Sequence, residues 1–188
     1  FDLESGVLLS NIVSEYYDAG IEHGVLSGPT FAAELAHSKP AAITLATNTI
    51  NDPSQLAAEM SNENLRVYIS TDPVGVQLGG SLKNIIAIAS GISDAMEMGA
   101  NARAALITRG AEEMRTLGTS MGASESTFSG LSGIGDLVLS ATDDQSRNRQ
   151  LGMHIGKGGN LDSFREKHNG TPEGVHAVSA LVNAGIVN

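Results

Sequence analysis

Residues 75–94 read GVQLGGSLKNIIAIASGISD, and this stretch decides the class of fold. Its apolar residues recur at helical spacing, which predicts one long helix over residues 76–98. Glycine, alanine and serine are crowded into the same stretch, although each glycine inside a helix costs up to about 1 kcal/mol relative to alanine. The stretch therefore predicts a long helix whose backbone is closely approached by other helices or by a ligand.

The sequence has a different character on the two sides of this helix. Upstream, short strands alternate with short helices, which is typical of an open α/β sheet. The predicted helices there cover 3–19 (ended by Gly20), 30–37 (with Thr30 as N-cap) and 53–62 (with Asp52 as N-cap), and the predicted strands cover 24–27, 40–47 and 66–70. Downstream we predict only helices, over 101–117, 124–128, 136–142, 148–157, 161–167 and 175–184, with a glycine-broken turn at 130–135. The fold class is thus α/β followed by all-α, with a boundary near residue 75.

Composition excludes several classes of protein. The 188 residues are 41% hydrophobic and 17% charged, so the chain can bury a core and intrinsic disorder is disfavoured. The formal net charge of −10 disfavours a general nucleic-acid binder. No apolar run approaches the roughly 20 residues of a membrane span, so we expect none. The chain has no cysteine, which excludes disulfides and thiolate ligands and is consistent with a reducing, cytoplasmic compartment.

Several familiar site motifs are also absent. The five histidines show no H-x-x-x-H spacing, so we predict no metal site. The chain contains no G-x-G-x-x-G, no G-x-x-x-x-G-K-[ST] and no G-x-S-x-G. It begins at Phe1 rather than at methionine and ends at Asn188 just after a predicted helix C-cap, so we expect an internal fragment of a longer protein. A complete domain cleaved from a tag is the alternative.

Two charged residues lie in apolar surroundings. Lys83 lies among Leu82, Ile85 and Ile86 on the long predicted helix. An amine withdrawn from water can accept or donate a proton near neutral pH, although a lysine at the edge of a helix can instead extend its ammonium group to solvent. Asp136 lies between a glycine turn and an apolar run, where it either caps a helix or faces Lys83.

Three hydrogen-bond donors, Ser146, Arg147 and Asn148, precede or open a predicted helix. An arginine fork, two neutral donors and the free N–H groups of a helix start suit a phosphate, so we name these residues the anion-binding triplet. A solvated polar loop is the alternative. Gly28 and Thr30 lie where a strand ends and a helix opens, which is where open α/β sheets bind ligands, although an ordinary turn is equally consistent with them.

Five blocks of the chain resemble a known family. They are SGPTFAAE (27–34), GVQLGGSLKNIIAIASGISD (75–94), GANARAALITRGAEEM (99–114), GLSGIGDLVLSATDDQSRNRQLG (130–152) and EGV (173–175). In these blocks and their order, the chain resembles the bacterial NAD(P)-dependent sn-glycerol-3-phosphate dehydrogenases. The resemblance implies the C-terminal end of a Rossmann-like parallel sheet domain over residues 1–75, followed by a mostly helical substrate domain over 76–188. It also implies that the family's glycine-rich loop lies upstream of Phe1 and that its final helices follow Asn188.

The resemblance also implies roles for individual residues. Lys83 would be the proton acceptor, with Asn84 beside it, and Asp136 would bind the substrate or Lys83. The other substrate contacts would come from Gly28, Thr30, Ser146, Arg147 and Asn148, and the contacts to NAD or NADP from Ala32, Arg147 and Glu173. The chain departs from the family pattern at Thr171-Pro172, just before the last of these residues.

The resemblance therefore implies an oxidoreductase that interconverts sn-glycerol 3-phosphate and dihydroxyacetone phosphate and so supplies precursors of glycerophospholipids. Its ligands would be that small phosphorylated substrate and NAD or NADP, and it would form a homodimer. Without the glycine-rich loop, the chain alone is not expected to turn over. Two alternatives stay open: another two-domain NAD(P)-dependent dehydrogenase that acts on a different hydroxy acid, and a non-catalytic fragment that dimerises or binds a phosphorylated ligand.

Overall fold

The computed structural model of the chain describes residues 2, 6–17, 21–168 and 170–186. Its strands are β1 (Val25–Ser27), β2 (Ala41–Ala46) and β3 (Leu65–Ser70). Its helices are α1 (Leu9–Tyr16), α2 (Ala32–Ala36), α3 (Pro53–Met60), α4 (Pro73–Ala95), α5 (Gly99–Ser120), α6 (Asp136–Thr142), α7 (Arg147–Gly156), α8 (Leu161–Lys167) and α9 (Glu173–Asn183). A 3-10 segment (Glu125–Ser129) and a π-helical turn (Leu131–Gly135) lead into α6. The observed order is therefore a small sheet with its helices, followed by helices alone.

The three strands form one sheet in the order β1-β2-β3. β2 and β3 are parallel, with Ile43 opposite Val67, whereas β1 is antiparallel to β2, with Leu26 opposite Leu45. The expected parallel sheet is thus found for β2 and β3, whereas β1 departs from it. The connection between β1 and β2 contains the short helix α2, of five residues. Antiparallel edge strands on otherwise parallel sheets are common.

Two helices begin at an Asp-Pro pair. The carboxylate of Asp52 accepts the N–H of Gln55 at 3.0 Å at the start of α3, which confirms its prediction as an N-cap. The carboxylate of Asp72 accepts the N–H of Gly75 at 2.8 Å in the same way, so α4 begins at Pro73 rather than at residue 76. Proline at the first helical position has no N–H group to leave unpaired, which favours both starts.

The prediction of Thr30 as a helix cap is wrong. α2 begins at Ala32, and the residue in its cap position is Phe31, whose side chain has no oxygen to accept an N–H group. The hydroxyl of Thr30 instead donates to the carbonyl oxygen of Gly28 at 3.2 Å. Hydroxyl groups form such local bonds readily in turns, and here that bond is made before the helix starts.

α4 is the central element of the helical part and packs against α5, α6, α7 and α9. Its buried Leu78 and Leu82 lie in a core with Met114, Phe128 and Leu137. A Cβ atom placed on Gly91 would overlap the carbonyl oxygen of Arg149 on α7. The predicted close approach of other helices to this backbone is therefore confirmed.

Several element bounds differ from those predicted. The first helix covers Leu9–Tyr16, and residues 3–5 and 18–20, including the predicted terminator Gly20, lie outside the described residues. The helix predicted at 124–128 is a 3-10 segment, and the glycine turn at 130–135 is a π-helical turn. Among the helices of the described ranges, none combines the length and the hydropathy needed to cross a membrane.

Candidate active site

The side chains of Lys83 and Asp136 meet between α4 and α6. Nζ of Lys83 donates to Oδ1 of Asp136 at 2.5 Å, and the two side chains are 17% and 4% exposed. The alternative of a lysine extended into solvent is therefore wrong. The capping alternative for Asp136 is also wrong, because the residue before α6, Gly135, is itself helical and the carboxylate accepts the lysine instead. The structure brings together two residues that are 53 positions apart in the chain.

The π-helical turn determines the register of this pair. A Cβ atom on Gly79 of α4 would overlap the carbonyl oxygen of Ser132 in the turn, so the two backbones are in direct contact there. Lys83 follows Gly79 by four residues, and Asp136 follows Ser132 by four. Lys83 lies one turn beyond Gly79 on the same face of α4, and Asp136 opens α6 directly after the turn, so the backbone contact brings the two charged residues close together. Sequence reasoning missed Gly79 and Ser132 as the residues that set this register.

The electrostatics of the pair are dominated by burial. Burial raises the pKa of the Asp136 carboxyl, and the charge of Lys83 with hydrogen bonds from Lys83 and Ser140 lowers it by less, so the net pKa lies above its ordinary value. The Ser140 hydroxyl is 3.5 Å from Oδ1 of Asp136. Asp136 is thus a carboxyl that takes up a proton more readily than one on the surface, held beside an amine.

The turn after β1 lies against the same place. The hydroxyl of Ser132 donates to the carbonyl oxygen of Ser27 at 3.3 Å, and Pro29 packs against Gly135, the residue before Asp136. This contact brings the segment of Gly28 and Thr30 next to the π-helical turn. Close packing within the sheet also favours glycine at position 28, since a Cβ atom there would lie 3.0 Å from the Cα atom of Ile43. Ala32 is exposed two residues beyond Thr30, in the first turn of α2.

The three residues of the anion-binding triplet have different surroundings. Ser146 is buried and caps α7, since its hydroxyl accepts the N–H of Arg149 at 3.3 Å. Arg147 is exposed, and its Nη2 donates to the carbonyl oxygen of Gly170 at 3.2 Å. Asn148 is buried at 4% exposure. The triplet therefore presents one exposed guanidinium group between two buried polar side chains at the start of a ten-residue helix.

Asn148 links the triplet to the start of α9. Its Oδ1 accepts the N–H of Gly174 at 2.8 Å, and its Nδ2 donates to Oε2 of Glu173 at 3.4 Å. A Cβ atom on Gly174 would lie 2.8 Å from the carbonyl oxygen of Asn84, the residue after Lys83. The structure thus joins three predicted site residues, Asn84, Asn148 and Glu173, around one helix start.

A cavity of about 290 Å³ opens at this junction. It is lined by Gly80, Ser81, Asn84, Glu173, His176 and Ala177. An amide, a carboxylate and an imidazole beside three small residues form a donor and acceptor set that fits a nicotinamide carboxamide or a ribose. Sequence reasoning missed His176; its place one helical turn after Glu173 was the signal.

The fit to a dinucleotide is partial. Ala32, Arg147 and Glu173, the residues expected at the cofactor, are all exposed and hence accessible to a ligand. The chain contains no G-x-G-x-x-G loop, so these residues would supply only part of the contacts to NAD or NADP. Across the described ranges, no three His, Asp or Glu side chains are grouped as a metal ion would need.

Comparison with known proteins identifies the family. The family described as NAD-dependent glycerol-3-phosphate dehydrogenase matches this chain twice, with its C-terminal model over residues 72–186 and its N-terminal model over 1–52. The chain belongs to the NAD-dependent glycerol-3-phosphate dehydrogenase family. The resemblance found in the sequence is therefore confirmed.

Comparison with individual relatives supports the same family assignment. The chain is 50% identical over 180 residues to glycerol-3-phosphate dehydrogenase [NAD(P)+] of Alkalilimnicola ehrlichii, covering 96% of this chain and 54% of that protein. It is 51% identical over 164 residues to the enzyme of the same name from Thiobacillus denitrificans, covering 87% of this chain and 50% of that protein. The chain spans about half the length of the curated relatives it matches.

A solved structure confirms the fold class. The crystal structure of glycerol-3-phosphate dehydrogenase from Coxiella burnetii superposes with a TM-score of 0.91 at 40% identity, over 97% of this chain and 57% of that one. The predicted class, a Rossmann-like sheet region followed by a mostly helical region, is the class of this dehydrogenase family. The roles of the individual site residues stay predictions.

Proposed function

We propose that this chain serves an oxidoreductase that interconverts sn-glycerol 3-phosphate and dihydroxyacetone phosphate with NAD or NADP. The observation that carries the proposal is the Lys83–Asp136 pair, in which a mostly buried amine lies 2.5 Å from a buried carboxylate. The adjoining residue, Asn84, borders a cavity shared with Glu173. The names of the relatives support the substrate and the cofactor class.

The chemistry needs both a proton acceptor and a hydride acceptor. When bound, a nicotinamide cofactor supplies the hydride acceptor. Lys83 takes the hydroxyl proton of glycerol phosphate on Nζ as the alcohol is oxidised, and returns it to the carbonyl oxygen in the opposite direction. Asp136 holds Nζ in place and balances the positive charge that forms there. A positioned proton-transfer group of this kind contributes about 10²–10⁴ in rate.

In so small a substrate, the phosphate group offers most of the atoms that the protein can bind. Arg147 offers a forked, charged donor, and the first turn of α7 offers N–H groups that favour an anion. Ser146 and Asn148 flank it with neutral polar groups. We assign the phosphate to this triplet and the glycerol end to Gly28, Thr30 and the Lys83–Asp136 pair, so that the substrate is held at both ends.

The cofactor contacts on this chain are proposed at three residues. Ala32, Arg147 and Glu173 are accessible, and the cavity beside Glu173 contains the amide of Asn84 as well. The given residues contain no glycine-rich dinucleotide loop, so the contacts proposed here orient one end of the cofactor.

The decisive test replaces Lys83 in the full-length protein. Lys83→Met keeps the length of the side chain and removes the amine, so we expect kcat for dihydroxyacetone phosphate reduction to fall about 10²–10⁴-fold with the fold intact by circular dichroism. The matched control is Lys39→Met, since the side chain of that lysine is 59% exposed and its ammonium group pairs with Glu34, away from Lys83. Full activity of Lys83→Met would refute the assignment.

A substrate panel tests the choice of substrate. We expect phosphorylated alcohols and ketones to be preferred over hydroxy acids without phosphate, because the anion-binding triplet recognises the phosphate. Preference for a non-phosphorylated hydroxy acid would favour the other dehydrogenase class. Wild-type protein that binds phosphate but never turns over would favour the non-catalytic alternative.

We further propose three properties that rest on the family resemblance. The domain boundary lies near residue 75, the protein is a homodimer, and it is cytoplasmic. Limited proteolysis tests the boundary, analytical ultracentrifugation tests the dimer, and cell fractionation tests the location. The two family models, which match on either side of residues 53–71, support the boundary.

A further inference from the structure

Arg149 is a second cation on the first turns of α7, and it is almost entirely buried. Its side chain is 7% exposed. Nη1 donates to Oδ2 of Asp94 at 2.5 Å and to the carbonyl oxygen of Ala141 at 3.2 Å, and Nε donates to Oδ1 of Asp144 at 2.9 Å. A guanidinium group is tolerated inside a protein only when its donors are matched in this way.

The three acceptors come from three different segments. Asp94 is near the end of α4, Ala141 is near the end of α6, and Asp144 is in the loop that leads to Ser146. Asp144 is 73% exposed, so its contact with Arg149 holds a loop that is otherwise open to solvent. Arg149 therefore joins the loop of the anion-binding triplet to the two helices that carry Lys83 and Asp136.

The geometry of α7 separates the two arginines. Arg147 and Arg149 are two residues apart, which rotates their side chains by about 200° around the helix axis. When Arg147 faces solvent and the anion site, Arg149 must face the core. This spacing was a signal in the sequence that could have identified Arg149 as the buried member, although sequence reasoning did not use it.

We propose that Arg149 is a positioning residue for phosphate recognition. Arg149 does not touch the substrate. Its guanidinium group donates to Asp144, and its main-chain N–H donates to the hydroxyl of Ser146. Together these contacts keep the triplet at a fixed distance from the Lys83–Asp136 pair. The proposal rests on the proposed function for the identity of the anion. The contacts with Asp94 and Ala141 provide the fixed end of this connection.

The sign of one substitution separates positioning from plain electrostatics. Asp144→Asn removes a negative charge close to an anion site, which by Coulomb attraction alone would tighten the binding of phosphate. Loss of position predicts the opposite, weaker binding. Since Asp144 is mostly exposed and its buried partner keeps Asp94, this variant is expected to fold.

The experiment compares Asp144→Asn, Arg149→Lys, Arg149→Gln and Arg103→Gln in the full-length protein. Arg103 is the matched control because its Nη1 also donates to Oδ2 of Asp94, at 2.8 Å, from α5. The readouts are the dissociation constant of inorganic phosphate by calorimetry, and KM and kcat for dihydroxyacetone phosphate and for the dinucleotide. Calorimetry with inorganic phosphate requires no turnover.

We expect the dissociation constant of phosphate and the KM of the phosphorylated substrate to rise together, roughly 10-fold in Arg149→Gln and roughly 3-fold in Asp144→Asn. Arg149→Lys lies between Arg149→Gln and wild type, since a lysine reaches one acceptor but not all three. The KM for the dinucleotide and the kcat at saturation change by less than about 2-fold, as does every constant in Arg103→Gln.

Two outcomes overturn the proposal. Tighter or unchanged phosphate binding in Asp144→Asn would show that the loop needs no such support. A second outcome would show a role in stability alone. In it, kcat and the binding of both the phosphorylated ketone and the dinucleotide fall in Arg149→Gln in proportion to the fraction of protein that is unfolded. If the wild type binds phosphate but reduces no phosphorylated ketone, the proposed function fails while the calorimetric comparison still decides the role of Arg149.

Discussion

A partly buried aspartate, Asp94, and a buried one, Asp136, lie at opposite ends of the helical site, and their pKa values shift in opposite directions. Burial raises the pKa of Asp94, but hydrogen bonds and charges from Arg103 and Arg149 outweigh it, so the net pKa is below the ordinary 3.8. Burial raises the pKa of Asp136 as well, and there a single lysine does not outweigh it. The difference lies in the number and kind of cationic partners.

The comparison distinguishes a structural ion cluster from a site poised for chemistry. Asp94 and Lys83 are eleven residues apart on α4, about three turns, so they lie on the same face of one helix. At the Asp94 end two arginines use several donors, and the cluster is closed. At the Lys83 end the amine meets one carboxylate and keeps part of its surface open, which leaves a donor for a ligand.

The largest expected effect is on stability at the closed end. Asp94→Asn removes the charge that compensates buried Arg149, and breaking such a pair costs on the order of 3 kcal/mol at pH 7. Chemical denaturation of the variant and of wild type measures the difference. Arg103→Gln is the control, because it leaves Asp94 paired with Arg149; its loss of stability should be under about 1 kcal/mol.

Acid conditions sharpen this prediction. A carboxyl with a lowered pKa contributes stability above its unfolded value, near 3.8, and that contribution is lost as pH falls through the lower folded value. The gap in stability between wild type and Asp94→Asn should therefore narrow below about pH 4. A gap that is constant from pH 7 to pH 3 would contradict the assigned pKa direction.

The second prediction concerns the open end, where the effect is on activity. Asp136→Asn keeps the shape of the side chain and removes the charge that balances protonated Lys83, so we expect kcat to fall roughly 10–100-fold. If Asp136 acts through Lys83, KM changes little; if it binds the substrate directly, KM rises instead. Steady-state kinetics of the reduction reaction therefore choose between the two roles.

The pH dependence of stability at this end has the opposite sign. Because the folded-state pKa of Asp136 is raised, the folded state binds its proton more tightly than the unfolded state does. Stability from this group is greatest below 3.8 and is lost as pH rises through the raised value. Asp136→Asn should lack that decline, whereas Asp94→Asn should retain it.

The same contrast explains which features the sequence predicts well. The start of α3 and the existence of the long α4 depend on neighbours a few residues away, and the prediction of Asp52 as an N-cap is confirmed, whereas the same Asp-Pro signal at Asp72 was missed as the start of α4. Lys83 and Asp136 stood out because a charge in an apolar run is conspicuous. Their contact was left open, since it depends on the backbone register between Gly79 and Ser132, which no local pattern reveals.

Features that depend on distant packing were missed or wrong. The residues next to Arg149 in the sequence are polar, as they are around a surface arginine. Its burial follows from the contact of α7 with Gly91 of α4. The antiparallel pairing of β1 joins residues far apart in the chain, such as Leu26 and Leu45, and the N-cap of α2 is Phe31 rather than the predicted Thr30. In each case the stabilising contacts join segments that are far apart in the chain. Helix and strand propensities of individual residues do not predict such contacts.

The smallest expected effect concerns the pKa of Asp136, and it tests whether Lys83 alone lowers that pKa or whether Ser140 contributes. The Ser140 hydroxyl is 3.5 Å from Oδ1 of Asp136, at the limit of a hydrogen bond, and it lowers the pKa of that carboxyl. Ser140→Ala should therefore raise the pKa of Asp136 slightly and cost under about 1 kcal/mol of stability. Carboxyl ¹³C titration by NMR measures the shift, with Thr142→Ala, on the exposed side of α6, as the control. A pKa that falls in Ser140→Ala would mean that Ser140 stabilises the protonated form, and that Lys83 alone opposes the effect of burial.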